Sequence, residues 1–399
     1  MPPEEDEKKG KGKLIAVLVV LLLLVAGGIG AWLVFGGGDD DDSEQADSDP
    51  SPDDADSAGG DATGELTDDG PIEFDTEYTV RLEGERIEAR FTLDAPDSAI
   101  MTLEVSSLRE STQSLRTLLE TPAAGRFVDI SVAPGEEESE VVILDSQGGD
   151  TFELYFSGTA EFTFRVGLDM QDDAGQGADA GAELTEAFEV SPGSVAGLLG
   201  GEDVGDMYTT AVKSGTELTF AASAPAEAAR RVRFVVEIGG SRVFDLNIEP
   251  GGRDEASMLL ASTDSGEVEV SVSGSDPYEF TVGFVEVNDG GVPGDAPEEL
   301  ADARTVDIAS PVTGSVGDWD EGDTYTFTAP GPTFNVTISS EATSDRSVRV
   351  VIEDAQGRRQ LDTSAQPGTE VAEAVEADAG GEFRMYVTGG RAEYSVTFG

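Results

Sequence analysis

The sequence of 399 residues contains no cysteine and no histidine. Without thiols no disulfide can staple the chain, so each domain relies on its own core. Without imidazole or thiolate, Ser-His-Asp and Cys-His catalysis, zinc held by His or Cys, and His-ligated haem are all excluded. Carboxylate and Ser-Lys chemistry survive that cut. Lysine is nearly as scarce: 24 residues are basic, and Lys213 is the only lysine beyond Lys13. Against them stand 82 Asp and Glu, for a net charge of -58. Such a surface repels nucleic-acid phosphates and offers anionic lipid no polybasic stretch outside the cell. No nucleic-acid partner is expected.

Acid excess with so little lysine is the pattern of halophilic surfaces, where ions screen the self-repulsion. Long apolar runs are also scarce, with one exception: Leu14 to Phe35 (LIAVLVVLLLLVAGGIGAWLVF) holds 22 residues without a charge. As a helix it would be about 33 Å long, enough to cross a hydrocarbon core of about 30 Å. Lys8, Lys9, Lys11 and Lys13 precede it and Asp39 to Asp42 follow, which keeps the N-terminus cytoplasmic and sends the remainder outward. A cleaved signal peptide is the alternative, with Ala26-Gly27-Gly28 as its small-residue site. The apolar core of such a peptide is about 7 to 15 residues, and this run continues through Trp32 to Phe35. The expectation is a single-pass anchor with a cytoplasmic tail of residues 1–13.

Residues 36–70 hold many acids, no basic residue and few large apolar side chains, and are expected to be a disordered, extended stalk. From Pro71 onward short runs alternate apolar and polar residues and are punctuated by Gly, Pro, Asp and Ser, which is strand and turn grammar. In Phe334-Asn335-Val336-Thr337-Ile338, three apolar side chains fall on one face. Acidic, Gly-rich breaks near Gln171 to Gly181 and Asn288 to Pro297 cut this region into three pieces: 71–170, 183–288 and 299–399.

The pieces repeat one another. Pro134-Gly135, Pro250-Gly251 and Pro367-Gly368 recur at separations of 116 and 117 residues, and Phe91-Thr92, Tyr208-Thr209 and Tyr325-Thr326 at 117 and 117. Between them lies a strand with Arg second and Glu last: Leu115 to Glu120, Val232 to Glu237, and Val348 to Glu353. Each unit closes on a hairpin, Gly149 to Phe164, Gly266 to Phe280, and Gly381 to Val396. A period of this length in several markers at once indicates tandem copies of one domain.

About 100 residues with many short strands suits a two-sheet sandwich. The third unit, from Val312-Thr313-Gly314-Ser315-Val316 through Asp323 to Ala329 and the closing Gly-Glu-Phe-Arg-Met-Tyr-Val run, resembles the bacterial pre-peptidase C-terminal (PPC) domain. The second unit resembles it by repetition and the first more weakly. That resemblance implies a jelly-roll-like β-sandwich used as a secreted or surface-exposed accessory module, some relatives of which bind calcium or matrix polymers. The expected fold is therefore all-β, with three tandem jelly-roll-like β-sandwich domains behind one transmembrane helix and an acidic linker.

Clustered carboxylates on a turn suit calcium, which takes six to eight oxygen ligands. The candidate is Asp318-Trp319-Asp320-Glu321-Gly322-Asp323, with Asp318, Asp320 and Asp323 as ligands. It is echoed by Glu202 to Asp206, while the matching first-unit stretch, Glu83 to Glu88, carries Arg86. A solvated turn is the bland alternative in a chain so rich in acid. Trp319 is expected to be buried against the sandwich end. Arg116, Arg233 and Arg349 are expected to pair with acids across their own sheets. Lys213 adjoins Ser214 but has no counterpart in the other units, and no G-x-x-x-x-G-K-[ST] loop occurs. The reading is a non-catalytic surface protein with no cofactor other than this candidate calcium. Its sandwiches would bind envelope polymer, glycan or protein, and the alternative is an accessory subunit that binds or localises a secreted peptidase.

Overall fold

The computed structural model describes residues 62–399, apart from 68, 83–86, 123–124, 146–148, 202 and 378–379. The apolar run Leu14 to Phe35 and residues 36–61 lie outside the described residues. Among the described residues, no helix is long and apolar enough to cross a membrane.

The long strands form three pairs of sheets, and each pair encloses one hydrophobic cluster. In the third sandwich the larger sheet runs Arg304–Thr305, Gly322–Thr328, Glu382–Gly389, Val348–Asp354, Arg359–Ala365. Its partner runs Val312–Val316, Ala392–Phe398, Thr333–Ser340, Glu370–Glu376. Neighbours are antiparallel throughout except at Arg304–Thr305, which pairs in parallel with Gly322–Thr328. The second sandwich repeats this order strand for strand, and the first does so with one strand added.

Alternation builds the cores. In Thr333–Ser340 the pattern is exposed, buried, exposed, buried, and Phe334, Val336 and Ile338 point inward as the sequence pattern implies. Burying such side chains contributes about 1.5–3 kcal/mol each, the main offset to chain entropy in the absence of cross-links. The first core is the most aromatic: Phe91, Phe156, Phe162 and Phe164 sit with ring centroids 4.6 to 6.3 Å apart. The repeated Pro-Gly pairs are tight turns between strands, with Gly135, Gly251 and Gly368 at φ of 77°, 73° and 72°. The strands carrying Arg116, Arg233 and Arg349 each slip register against their neighbour at the same place, just before Glu120, Glu237 and Glu353. A bulge shared by all three copies accounts for the recurrent glutamate near the strand end.

One expectation is corrected. Ala62–Leu66, assigned to the disordered stalk, is a strand in parallel register with Thr76–Arg81, and Leu66 packs against the first core. The edge of that sheet offers unpaired backbone donors and acceptors, and an otherwise weak segment satisfies them. The acidic breaks that separate the pieces fold onto the sandwiches that follow them, through Asp173 to the Leu198 amide and Asp289 to the Ser315 amide.

Candidate metal centres

Each strand Gly205–Ala211 and Gly322–Thr328 carries an aspartate as its second residue, at a position that the alternation reserves for the core. Asp206 and Asp323 are each 1% exposed. The first sandwich has Ala89 there, also buried. Two residues further on, Tyr208 and Tyr325 replace Phe91, and on the facing sheet Tyr278 and Tyr394 replace Phe162. The tyrosines bring hydroxyls that need partners. Tyr278 donates to Asp206 and Tyr394 to Asp323, while the Tyr208–Tyr278 and Tyr325–Tyr394 oxygens are each 2.6 Å apart.

Three further aspartates converge on each of these carboxylates. Asp203 and Asp320 close two-residue turns against Gly200 and Gly317, and both are buried. The others come from the acidic breaks. Asp173 accepts hydrogen bonds from the Ala180 and Leu198 amides, and Asp289 from those of Ala296 and Ser315, at 3.0 to 3.1 Å. Asp179 and Asp295 complete the groups. One carboxylate oxygen from each of Asp173, Asp179 and Asp206 lies within 4.8 Å of the others, and the same holds for Asp289, Asp295 and Asp323. The first two pairs of equivalents, Asp173 with Asp289 and Asp179 with Asp295, are 116 residues apart; Asp203 with Asp320 and Asp206 with Asp323 are 117 apart.

Burial raises Asp173, Asp203, Asp206, Asp289, Asp295, Asp320 and Asp323, and repulsion between neighbouring carboxylates adds to it at all of these but Asp289. Asp203 and Asp320 are pushed up to about 8 and Asp206 to about 10. Burial, followed by the charge of the neighbouring aspartate, takes Asp173 and Asp295 to about 7 against the pull of backbone donors. Asp323 and Asp289 are raised as well, again chiefly by burial. Asp203 Oδ2, Asp206 Oδ1 and Asp323 Oδ1 are buried without a hydrogen-bond partner among the described residues. A buried carboxylate oxygen left unpaired is expensive, and a hard cation is the partner that removes the cost for several at once. The donors are all oxygen, which suits calcium or magnesium rather than zinc or copper.

Of the three residues expected to bind calcium, Asp320 and Asp323 belong to this group. Asp318 does not. It occupies the tip of the turn at φ 56°, where Asp is tolerated, and its carboxylate accepts from the Leu259 amide at 3.1 Å and faces Arg391 at 3.7 Å. Trp319 is half-buried against the core of the second sandwich instead of its own. Asp173, Asp179, Asp289 and Asp295 were not singled out in the sequence, although Asp-x5-Asp recurs there with the period of the repeat.

Elsewhere the expected pairings are present. Arg116, Arg233 and Arg349 make forked contacts of 2.7 to 3.0 Å with Asp129, Asp245 and Asp362. Lys213 reaches Glu286 at 3.2 Å. Shallow polar grooves of about 290 and 300 Å³ lie along the corresponding sheets of two sandwiches, lined by Asp75, Glu104 and Arg165 in the first and by Ser315, Ser339 and Glu393 in the third.

No family model matches the chain, and no curated protein matches it. Solved structures that share stretches with it include the pre-peptidase C-terminal domain of a collagenase from Bacillus anthracis, at 20% identity over 27% of this chain and 100% of that one, with a TM-score of 0.21. A triple jelly-roll protein of an archaeal virus aligns at 10% identity over 77% of this chain and 82% of that one, with a TM-score of 0.17. The tandem CBM22 domains of Paenibacillus barcinonensis Xyn10C align at 10% identity over 49% and 82%, with a TM-score of 0.18. Likenesses with TM-scores this low carry no argument about ligand or activity.

Proposed function

We propose that the chain is a non-catalytic, membrane-anchored surface protein. Its three β-sandwich modules, of the pre-peptidase C-terminal kind, meet envelope polymer, glycan or protein outside the cell. In this reading Leu14 to Phe35 holds the protein in the cell membrane with its N-terminus cytoplasmic. Calcium fixes the linker before the second sandwich through Asp173, Asp179, Asp203 and Asp206, and the linker before the third through Asp289, Asp295, Asp320 and Asp323. One observation carries the reading: two buried groups of four aspartates, each assembled from a linker and the sandwich it precedes, repeat with the period of the domain. A cation there joins linker to body, so what it controls is how modules are presented, and tandem display multiplies weak contacts.

The test uses full-length protein in detergent, stripped with a chelator and titrated with calcium in molar salt by calorimetry, followed by incubation with purified envelope polymer. Two equivalents of calcium per chain are expected, one for each aspartate group, with more polymer retained in calcium than in chelator. Failure to take up calcium would remove the reading.

A further inference from the structure

The two centres share a set of four aspartates but not their surroundings. From Gln171 to Val212 the chain has no lysine or arginine, so the stretch that builds the centre of the second sandwich brings no positive charge to it. The corresponding stretch of the third sandwich, from Asn288 to Ala329, has one basic residue, Arg304. It lies beside Tyr325 in the parallel register, where the second sandwich has Phe188 beside Tyr208. The two positions are 116 residues apart, the separation of the paired linker aspartates. Phenylalanine and arginine fill the same place, and only arginine is charged.

Arg304 is aimed at the linker. Its Nη2 donates to the Asp295 carbonyl at 3.0 Å and its Nη1 to the Asp289 carbonyl, with the Val292 and Gly294 carbonyls 3.2 Å from that second nitrogen. The guanidinium therefore sits against the backbone of both linker aspartates. Its partners are neutral carbonyls, and among the described residues no carboxylate pairs with it, so its full charge is left for the centre. Asp289 is raised by burial first, and the Arg304 charge is one of the influences that draw it back. At Asp173, Asp203 and Asp206 the principal downward influences are hydrogen bonds alone, from the Ala180, Leu198 and Gly205 amides and the Tyr278 hydroxyl. Other charges do not separate the centres in this way. Asp145 bears on Asp203, and Glu298 on Asp295 and Asp320, so each centre has an outer carboxylate. Arg391 borders the turn of the third centre, but Glu217 and Asp318 meet its charge at 2.5 and 3.7 Å. Both centres keep a buried oxygen to receive a cation: Asp206 Oδ1 and Asp323 Oδ1 have no hydrogen-bond partner among the described residues.

We propose that Arg304 sets the calcium affinity of its centre and makes it the weaker of the two, so that calcium fills the second sandwich first and the third only at higher concentration. This rests on the cation reading above and adds an order to it. A fixed positive charge behind the ligands opposes a divalent cation with twice the force it would exert on a monovalent one. At the effective dielectric inside a protein, one unit charge against two across several ångströms is worth about tenfold in affinity or more. The guanidinium stays charged at every working pH, so the handicap is permanent. One ligand set used twice thus gives the chain two calcium thresholds, one for each linker.

The test is calorimetric titration of full-length protein in detergent with calcium chloride, after stripping with a chelator. Asp323→Asn leaves the centre of the second sandwich alone, and Asp206→Asn that of the third. Asparagine has the size of the neutral acid that burial enforces when no cation is bound, so both variants should fold. The Asp323→Asn protein is expected to bind one calcium about tenfold more tightly than the Asp206→Asn protein, or better. Arg304→Gln keeps an N–H donor for the linker carbonyls and removes the charge. Added to Asp206→Asn it should tighten binding about tenfold, whereas Arg304→Lys, which keeps the charge, should leave it weak. Added to Asp323→Asn, Arg304→Gln should change nothing. Equal affinities in the two single variants, or tighter binding at the third centre, overturn the inference. So does Arg304→Gln leaving the third centre unchanged or weakening it, the result of a purely structural role. The comparison of single variants does not touch Arg304, so it decides even where Arg304→Gln fails to fold. Binding by neither single variant overturns the cation reading itself.

Discussion

The first sandwich shows what the metal centre would look like without its polar groups, and grafting that answer onto the second gives a sharp test. The variant is Asp206→Ala with Tyr208→Phe and Tyr278→Phe, matching Ala89, Phe91 and Phe162. All three changes are made together, because removing Asp206 alone would leave two buried tyrosine hydroxyls with one hydrogen bond between them and one donor without an acceptor, whereas the triple change removes the whole Tyr208–Tyr278–Asp206 chain of hydrogen bonds. In chelator at pH 7, Asp206 must stay protonated in the folded state, since burial first and the neighbouring aspartates second push it to about 10. Holding a carboxyl with an ordinary value near 3.8 neutral at pH 7 costs up to about 4 kcal/mol, at 1.36 kcal/mol per unit. The variant is relieved of that cost. Recovery of even a quarter of it would raise the midpoint of a domain of about 100 residues by about 4–8 °C. With calcium at a hundred times its dissociation constant the parent gains about 2.7 kcal/mol, and the variant gains nothing at this site. Calorimetric melting should therefore show the variant above the parent in chelator, with the gap closing or reversing in calcium. A variant that melts below the parent in chelator, or keeps the calcium response of the second sandwich, would refute the reasoning.

Two further outcomes follow from the same groups and from the surface. Because the native aspartates are raised to about 7 to 10 while the unfolded ones titrate near 3.8, the folded state binds more protons across that interval. Their contribution to stability is therefore full below about pH 4 and is lost as pH rises through about 7 to 10; calcium, by favouring the ionised form, should flatten that fall. Melting midpoints between pH 4.5 and 9 follow the fall, and subtracting the triple variant isolates the share of Asp206 from the general effect of net charge. At the surface, Arg233→Ala breaks an exposed pair with Asp245 and should lower stability by no more than about 1 kcal/mol in urea titrations. A loss several times larger would mean that the fork is part of the sheet's core support.

Period and alternation made the sandwiches legible, because a strand must put every second residue in the core and a repeat restates the same choice. The Arg–Asp forks were legible for the same reason, since each arginine has a fixed cross-strand neighbour. What escaped was anything whose role is set by chain reversal. Asp173, Asp179, Asp289 and Asp295 lie in acidic, Gly-rich stretches with the composition of linkers, and only the folded path brings them to Asp206 and Asp323. Asp318 misled in the opposite direction. It sits among acids in sequence, but the left-handed turn aims it away from them toward Arg391. Ala62–Leu66 has weak strand grammar and is ordered by the edge it meets, which no local pattern records.

The paired tyrosines have a consequence for light. A lanthanide seated among the aspartates would lie next to Tyr278 or Tyr394, phenols whose hydroxyls touch the carboxylates themselves, and would glow by energy transfer when they are excited. The first sandwich carries phenylalanine at both positions and would stay dark. Trp319, the only tryptophan among the described residues, stands between the second and third bodies, so its emission colour reports that contact and no other. The molecule is thus wired with separate native chromophores for its two centres and for the seam between them.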